Sequence, residues 1–171
     1  RAFENEDQAD PLSHFRAKFS LPDELIYLDG NSLGALPGKT LSRVSEVIEA
    51  EWGHDLIRSW WDNQWMELPN ILGDKISQLV GAQPGEVIVC DSTSVNVFKV
   101  LSAALSKSPS PDRRVILSDR ANFPTDLYIA SGLISVMESS LEIRLVDPEE
   151  LEQHINSSVA VLLLTHVDFR N

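Results

Sequence analysis

Cysteine is almost absent from this chain. The single thiol, Cys90, rules out an internal disulfide among its 171 residues and suits a reducing compartment. It closes an apolar run, Val87-Ile88-Val89-Cys90, so it is expected to be buried filler rather than a reactive group. No apolar stretch approaches the roughly 18 residues of a membrane span. The polar, acidic start, Arg1 to Asp10, has no apolar h-region of a secretory signal. The cytoplasm is therefore the expected compartment.

Positive charge is also scarce. Fourteen Lys and Arg face 26 Asp and Glu, a net charge of −12. That balance repels a phosphate backbone and an anionic bilayer, which argues against nucleic acid and membrane partners. Metal-ligand spacing is missing too: His14, His54, His154 and His166 form neither H-x-x-x-H nor H-E-x-x-H, so no metal is expected. There is no G-x-S-x-G elbow and no Walker loop. Gly30-Asn31-Ser32-Leu33-Gly34 opens no immediate helix and does not fit a dinucleotide fingerprint.

What is present is patterned. Residues 1–10 look like a mobile arm, with Asp10 and Pro11 opening a short helix through Phe19. Ile26-Tyr27-Leu28 suggests a short strand before the glycine-rich turn. After Pro37, Leu41, Val44, Val47 and Ile48 fall at helical spacing, to about Trp52-Gly53. A second helix spans Leu68 to Val80, with Gly81 as its C′ residue. From Glu86 strands alternate with helices. Strands are expected at 86–90, 114–118, 141–146 and 159–165. Helices are expected at 95–105, from Pro124 to about Met137 with Asn122 as cap, and from Pro148 with Asp147 as cap. The last strand is apolar throughout, as one covered on both faces would be. Such alternation builds a parallel sheet with helices on both faces, an α/β fold. The expected division is 1–85, an arm and helical segment, and 86–171, the first part of a ligand-binding α/β domain. Stopping at Asn171, just after a buried strand, suggests the N-terminal part of something longer.

Ligands in open parallel sheets sit beyond the carboxyl ends of the strands. Those ends fall at Asp91–Ser94, Asp119–Asp126 and Thr165–Asp168. Ser92-Thr93-Ser94 at a helix start offers hydroxyls beside unpaired backbone N–H groups, a place for a phosphate. Taken alone, an N-cap role for Ser92 or Thr93 is the simpler reading of the same residues. Asn122-Phe123-Pro124-Thr125-Asp126 places an aromatic face and a carboxylate at the same edge, which suits a flat heteroaromatic ring, or else a capping motif with Phe123 as a hydrophobic staple. If the ligand is pyridoxal phosphate, a lysine must carry it. Lys18, Lys39, Lys75, Lys99 and Lys107 all fall on predicted helices or a loop, and none is a convincing Schiff-base lysine.

Several stretches together resemble the N-terminal part of the kynureninases, pyridoxal-phosphate enzymes of the aspartate-aminotransferase fold type. They are Ile26 to Gly34, Glu51-Trp52-Gly53 with Leu56 to Trp60, Asp91 to Asn96, Asn122 to Tyr128, and Leu164-Thr165-His166-Val167. The resemblance runs from about residue 20 to the end. It implies that Thr93 and Ser94 hold the cofactor phosphate, that Phe123 stacks on the pyridine ring, and that Asp126 lies near the ring nitrogen. Pro124, Thr125 and Thr165 complete the implied cofactor contacts. Ser32, His54 and Trp60 match substrate-pocket positions. Val167 to Asn171 fits the place where a catalytic loop begins. The implied reaction is hydrolytic Cβ–Cγ cleavage of L-kynurenine or 3-hydroxykynurenine, giving anthranilate or 3-hydroxyanthranilate and L-alanine, by a homodimer in tryptophan catabolism. The family's Schiff-base lysine, its pyridine-pairing aspartate and its substrate-binding arginine have no counterpart here, so this piece alone is expected to be inactive. The competing expectations are another enzyme of the same fold type, such as a cysteine desulfurase or class V aminotransferase, and a non-catalytic phosphate-binding fragment. The aromatic segment with Trp60 and the Asp29–Gly34 turn argue against the first.

Overall fold

The structure, a computed structural model, describes residues 2–106, 110, 112–137, 140–166, 168 and 170. Two compact units divide the chain, Arg1–Ile88 and Val89–Asn171.

The first unit is mainly helical. Ala2–Ala9 form helix α1 rather than a mobile arm. Asp10 Oδ1 accepts the backbone N–H of Leu12 at 2.8 Å, and the short helix expected there is a 3₁₀ helix over Ser13–Lys18. Phe19–Ser20 (β1) pairs antiparallel with Leu36–Pro37 (β2). Ile26-Tyr27-Leu28 is not a strand: no neighbour pairs with it among the described residues, and Ile26 and Leu28 are exposed. Helix α2, Thr40–Glu46, runs into a π-helical stretch, Val47–Asp55. A 3₁₀ turn at Leu56–Arg58 and α3, Ser59–Asp62, follow.

Helix α4 spans Leu68–Val80 and ends at Gly81, whose φ of +74° is the left-handed C-terminal conformation that glycine adopts without strain. Its Gly73 is buried against the backbone of Val87, with room for a hydrogen only. That contact uses part of the 86–90 segment, which was expected to be a strand. No strand pairs with it among the described residues, so the β-forming side chains have no ladder to join. Cys90, at its end, is half-buried rather than buried, with Sγ 3.4 Å from Asn96 Oδ1.

The second unit is a three-stranded parallel sheet with helices. Helix α5 is Thr93–Ser106, β3 Val115–Asp119, α6 Pro124–Met137, β4 Glu142–Val146 and β5 Val159–Leu163. The sheet order is β4-β3-β5. An irregularity at Val115/Ile116 shifts the β3–β5 register by one residue.

Alternation along β3 splits the core between two faces. Ile116 packs with Leu101 and Leu105 of α5 and Ala130 and Leu133 of α6. Val115 and Leu117 pack on the other side with Val146, Val159 and Leu151. Leu151 belongs to the short helix expected from Pro148, which is a 3₁₀ helix over Pro148–His154. This is the α/β layering that the strand–helix alternation implies, with helices on both faces of a parallel sheet. Strand β5 is less covered than its composition suggests, with Leu162 exposed. It is an edge strand of the described sheet.

No helix among the described residues is long and apolar enough to cross a membrane.

Candidate functional site

At the carboxyl edge of the sheet Asn122 is the hub. It was expected to cap α6, but it is 4% exposed and turned into the sheet. Its Nδ2 donates to Ser118 Oγ at 2.8 Å and to the Leu163 carbonyl at 3.1 Å. Its Oδ1 accepts the Phe123 backbone N–H at 2.7 Å and the Thr165 hydroxyl. Both donors and both acceptor positions of the amide are therefore used. Ser118 Oγ in turn donates to the Leu163 carbonyl at 2.7 Å.

One buried amide thus joins the end of β3, the start of α6, the last residue of β5 and Thr165 two residues beyond it. It brings three of the expected cofactor residues into one cluster. Phe123 is exposed at the mouth. Thr165 Oγ1 lies 3.4 Å from Asp126 Oδ2. Pro124 and Thr125 form the first turn of α6 between them, Pro124 exposed and Thr125 partly buried.

At the start of α5 the cap falls on one residue and leaves the next two hydroxyls over. Ser92 is the cap: its Oγ lies 3.4 Å from the Val95 N–H and its carbonyl accepts the Asn96 N–H at 2.9 Å. Thr93 and Ser94 occupy the first two helical positions, where backbone N–H groups have no intrahelical partner. Their hydroxyls make no hydrogen bond among the described residues. Capping and anion binding therefore do not compete here. Asn96 Nδ2 fixes the approach by donating to the Cys90 carbonyl at 2.8 Å. Lys99 is bound to the Asp91 carboxylate, which raises its pKa through that hydrogen bond and the charge behind it.

A cavity of about 290 Å³ opens at the same sheet edge, lined by Asp119, Asn122, Glu149, Thr165 and Asp168 among others. Its three carboxylates disfavour a phosphate. Charge thus separates that cavity from the helix start, where Thr93 and Ser94 carry free hydroxyls beside unpaired backbone N–H groups. Among the described residues no group of three His, Cys or carboxylate side chains converges as metal ligands.

In the first unit, Ser32 stands exposed on the turn whose Leu33 and Gly34 help to wall an apolar cavity of about 480 Å³. Tyr27 holds that turn, its hydroxyl donating to the Leu33 carbonyl at 2.5 Å. No hydrogen bond or ring contact joins Ser32 to His54 or Trp60 among the described residues.

His54 and Trp60 are linked to each other by a polar chain that sequence reasoning missed. His54 Nδ1 lies 2.9 Å from Asp55 Oδ1. Asn63 Nδ2 donates to Asp55 Oδ2 and to Ser59 Oγ, both at 3.0 Å. Ser59, fully buried, donates to the Glu51 carbonyl at 2.5 Å. The Glu51 carboxylate accepts from Arg43 at 2.5 Å and from Trp65 Nε1 at 2.6 Å. The Trp65 ring meets Trp60 edge-on, with centroids 6.2 Å apart.

Arg43 first, then Trp65, hold Glu51 below the usual glutamate range. Asn63, then His54, do the same for Asp55. These partners lie 8 and 14 residues apart across a π-helical stretch, a 3₁₀ turn and the short α3, so no single regular element carries a pattern that marks them. Lys107, Val167, Phe169 and Asn171 lie outside the described residues. Of the expected loop after β5, Asp168 and Arg170 are described: Arg170 donates to the Ala121 carbonyl at 3.1 Å and Asp168 accepts its backbone N–H at 2.9 Å.

No family model matches the chain. Individual relatives do. The chain is 52% identical over 167 residues to a kynureninase of Pseudomonas fluorescens and 53% identical over 169 residues to one of Deinococcus radiodurans. It is 49% identical over 167 residues to a kynureninase of Burkholderia pseudomallei. Each match covers 96% of this chain and 40% of the relative. Nearly all of this chain is thus homologous to kynureninases, and it spans about two fifths of the length of the curated relatives it matches.

Proposed function

We propose that this chain is the N-terminal, cofactor-phosphate and substrate-contacting part of a cytoplasmic, homodimeric kynureninase. It would act on L-kynurenine or its 3-hydroxy form by hydrolytic Cβ–Cγ cleavage, releasing anthranilate or 3-hydroxyanthranilate and L-alanine. The observation that carries this is the pairing of about 50% identity to kynureninases with an α5 start whose cap, Ser92, leaves Thr93 and Ser94 uncommitted.

The residues fit pyridoxal 5′-phosphate in kind. When bound, that group supplies an electron sink for breaking bonds near the substrate's amine-bearing carbon. Thr93 and Ser94 would bind its phosphate through hydroxyl and backbone donors. The Phe123 face would stack on its ring, with Pro124 and Thr125 setting the ring's place on α6. The Asp126 carboxylate would lie near the ring nitrogen, and Thr165 would orient that carboxylate. The 1–85 segment would contact substrate through Ser32, His54 and Trp60, whose indole suits the substrate's aromatic ring. The 86–171 segment would hold the cofactor.

The test is direct. The protein in its full coding length, supplied with cofactor and L-kynurenine, should release anthranilate, read by its fluorescence. No anthranilate from either kynurenine would end the proposal.

A further inference from the structure

The interior of the first unit holds one carboxylate that the proposed chemistry does not use. Glu51 is 6% exposed and sits in the π-helical stretch. Burying a charge is costly unless it is paired and hydrogen-bonded. Arg43 supplies the charge at 2.5 Å, and the Trp65 indole N–H supplies a second donor at 2.6 Å. The backbone adds a third tie, since Ser59 Oγ donates to the Glu51 carbonyl and the Trp65 N–H to the Ser59 carbonyl at 3.3 Å.

The consequence falls on Trp60. Its ring stands edge-on to Trp65, with an interplanar angle of 73°. The Met66 N–H donates to the Trp60 carbonyl at 3.2 Å, closing the turn between the two indoles. Trp65 is the only ring partner of Trp60 among the described residues. An indole has one polar handle, Nε1–H. Fixing that handle on a buried carboxylate fixes the ring plane of Trp65, and with it the wall against which Trp60 rests. We infer that Glu51 is a positioning residue: through Trp65 it sets the orientation of Trp60, the aromatic face offered to the substrate's ring. This rests on the proposed substrate role of Trp60.

Charge alone does not explain the arrangement. Arg43 also reaches Glu46, at 3.1 Å near the surface, so a carboxylate for Arg43 is available without burying Glu51. What only Glu51 provides is the acceptor for Trp65.

Two readouts on the full-length protein separate this inference from the function it rests on. The first is the far-ultraviolet exciton couplet of the Trp60–Trp65 pair in circular dichroism, taken as the difference from Trp60→Phe. It needs no substrate. The second is the division of any kinetic change between KM and kcat for kynurenine. Glu51→Leu removes both acceptors at similar size. The couplet should fall to about half or less, KM should rise about tenfold, and kcat should stay within about twofold, because a substrate-binding face is disordered and the reacting groups are not. Glu51→Gln keeps an acceptor oxygen for Trp65 and should bring KM back to within about threefold of wild type.

If Glu51→Leu does not fold, Trp65→Phe decides, since it keeps a ring beside Trp60 and drops the N–H. A KM rise of about fivefold or more supports the inference, and an unchanged KM overturns it. An unchanged couplet in folded Glu51→Leu overturns it whether or not the enzyme turns over. So does an unchanged KM in a variant that turns over. Absence of anthranilate from wild type would instead sink the function itself, leaving the couplet to judge the Glu51–Trp65–Trp60 geometry.

Discussion

At Gly73 the chain leaves no room for a side chain. A Cβ there would lie 1.9 Å from the Val87 carbonyl oxygen and 3.1 Å from the Ile88 Cα, both backbone atoms that cannot rotate away. Alanine would gain about 1 kcal/mol of helix propensity over glycine. The clash must push the 87–88 backbone off α4, and overpacking of that kind costs about 1–3 kcal/mol or more. Gly73→Ala should therefore lower the urea midpoint, and an unchanged or raised midpoint would show that the helix and this segment separate freely.

Glu51 gives a second prediction at the same scale. Its pKa is depressed in the folded state, first by Arg43 and then by Trp65. The stabilisation is then fully present above the unfolded value, about 4.3. It is lost as pH falls from there through the lower folded value. Acid titration followed by tryptophan emission should show a stability loss in Glu51→Gln relative to wild type that is present at neutral pH and shrinks below that window. A difference that grows with acidity would reverse the sign and reject the pairing.

Elements were legible where their signal is local. Helix α4 and its Gly81 stop are written in one stretch of 3.6-residue periodicity and one glycine, and the structure reproduces both. Helix α5 begins at Thr93, two residues before its first expected residue, because the periodic apolar pattern starts later than the cap at Ser92. The 86–90 segment shows the opposite case. Strand propensity was real, but a strand exists only through a partner, and none of the described residues supplies one.

Asn122 was misjudged for a related reason. A cap is a local event, whereas its partners Leu163 and Thr165 lie 41 and 43 residues away. The cluster Phe123–Asp126–Thr165 was nevertheless foreseen, because strand ends in a parallel sheet must share an edge. Asn122→Ala should cost about 1–3 kcal/mol, since it leaves Ser118, the Leu163 carbonyl and Thr165 each short of a partner. Thermal unfolding checks this. A loss below about 0.5 kcal/mol would mean that water replaces the amide without cost.

On the scale of the molecule, the net charge of −12 makes the anion question a local one. A phosphate approaching this chain meets net repulsion, to which the carboxylates of the cavity near Thr165 add. Local donors must offset that repulsion, and the start of α5 offers unpaired backbone N–H groups and two free hydroxyls. The proposed homodimer is checked by sedimentation of the full-length protein at several concentrations, where a monomer with full activity would contradict it.

The most direct measurement of the account compares pyridoxal 5′-phosphate with phosphate-free pyridoxal, titrated by absorbance into the full-length protein and into its Thr93→Ala, Ser94→Ala double variant. Loss of two charge-assisted donors should weaken the phosphorylated ligand by about tenfold to a hundredfold and leave pyridoxal unchanged. Equal weakening of both ligands, or of neither, would contradict it.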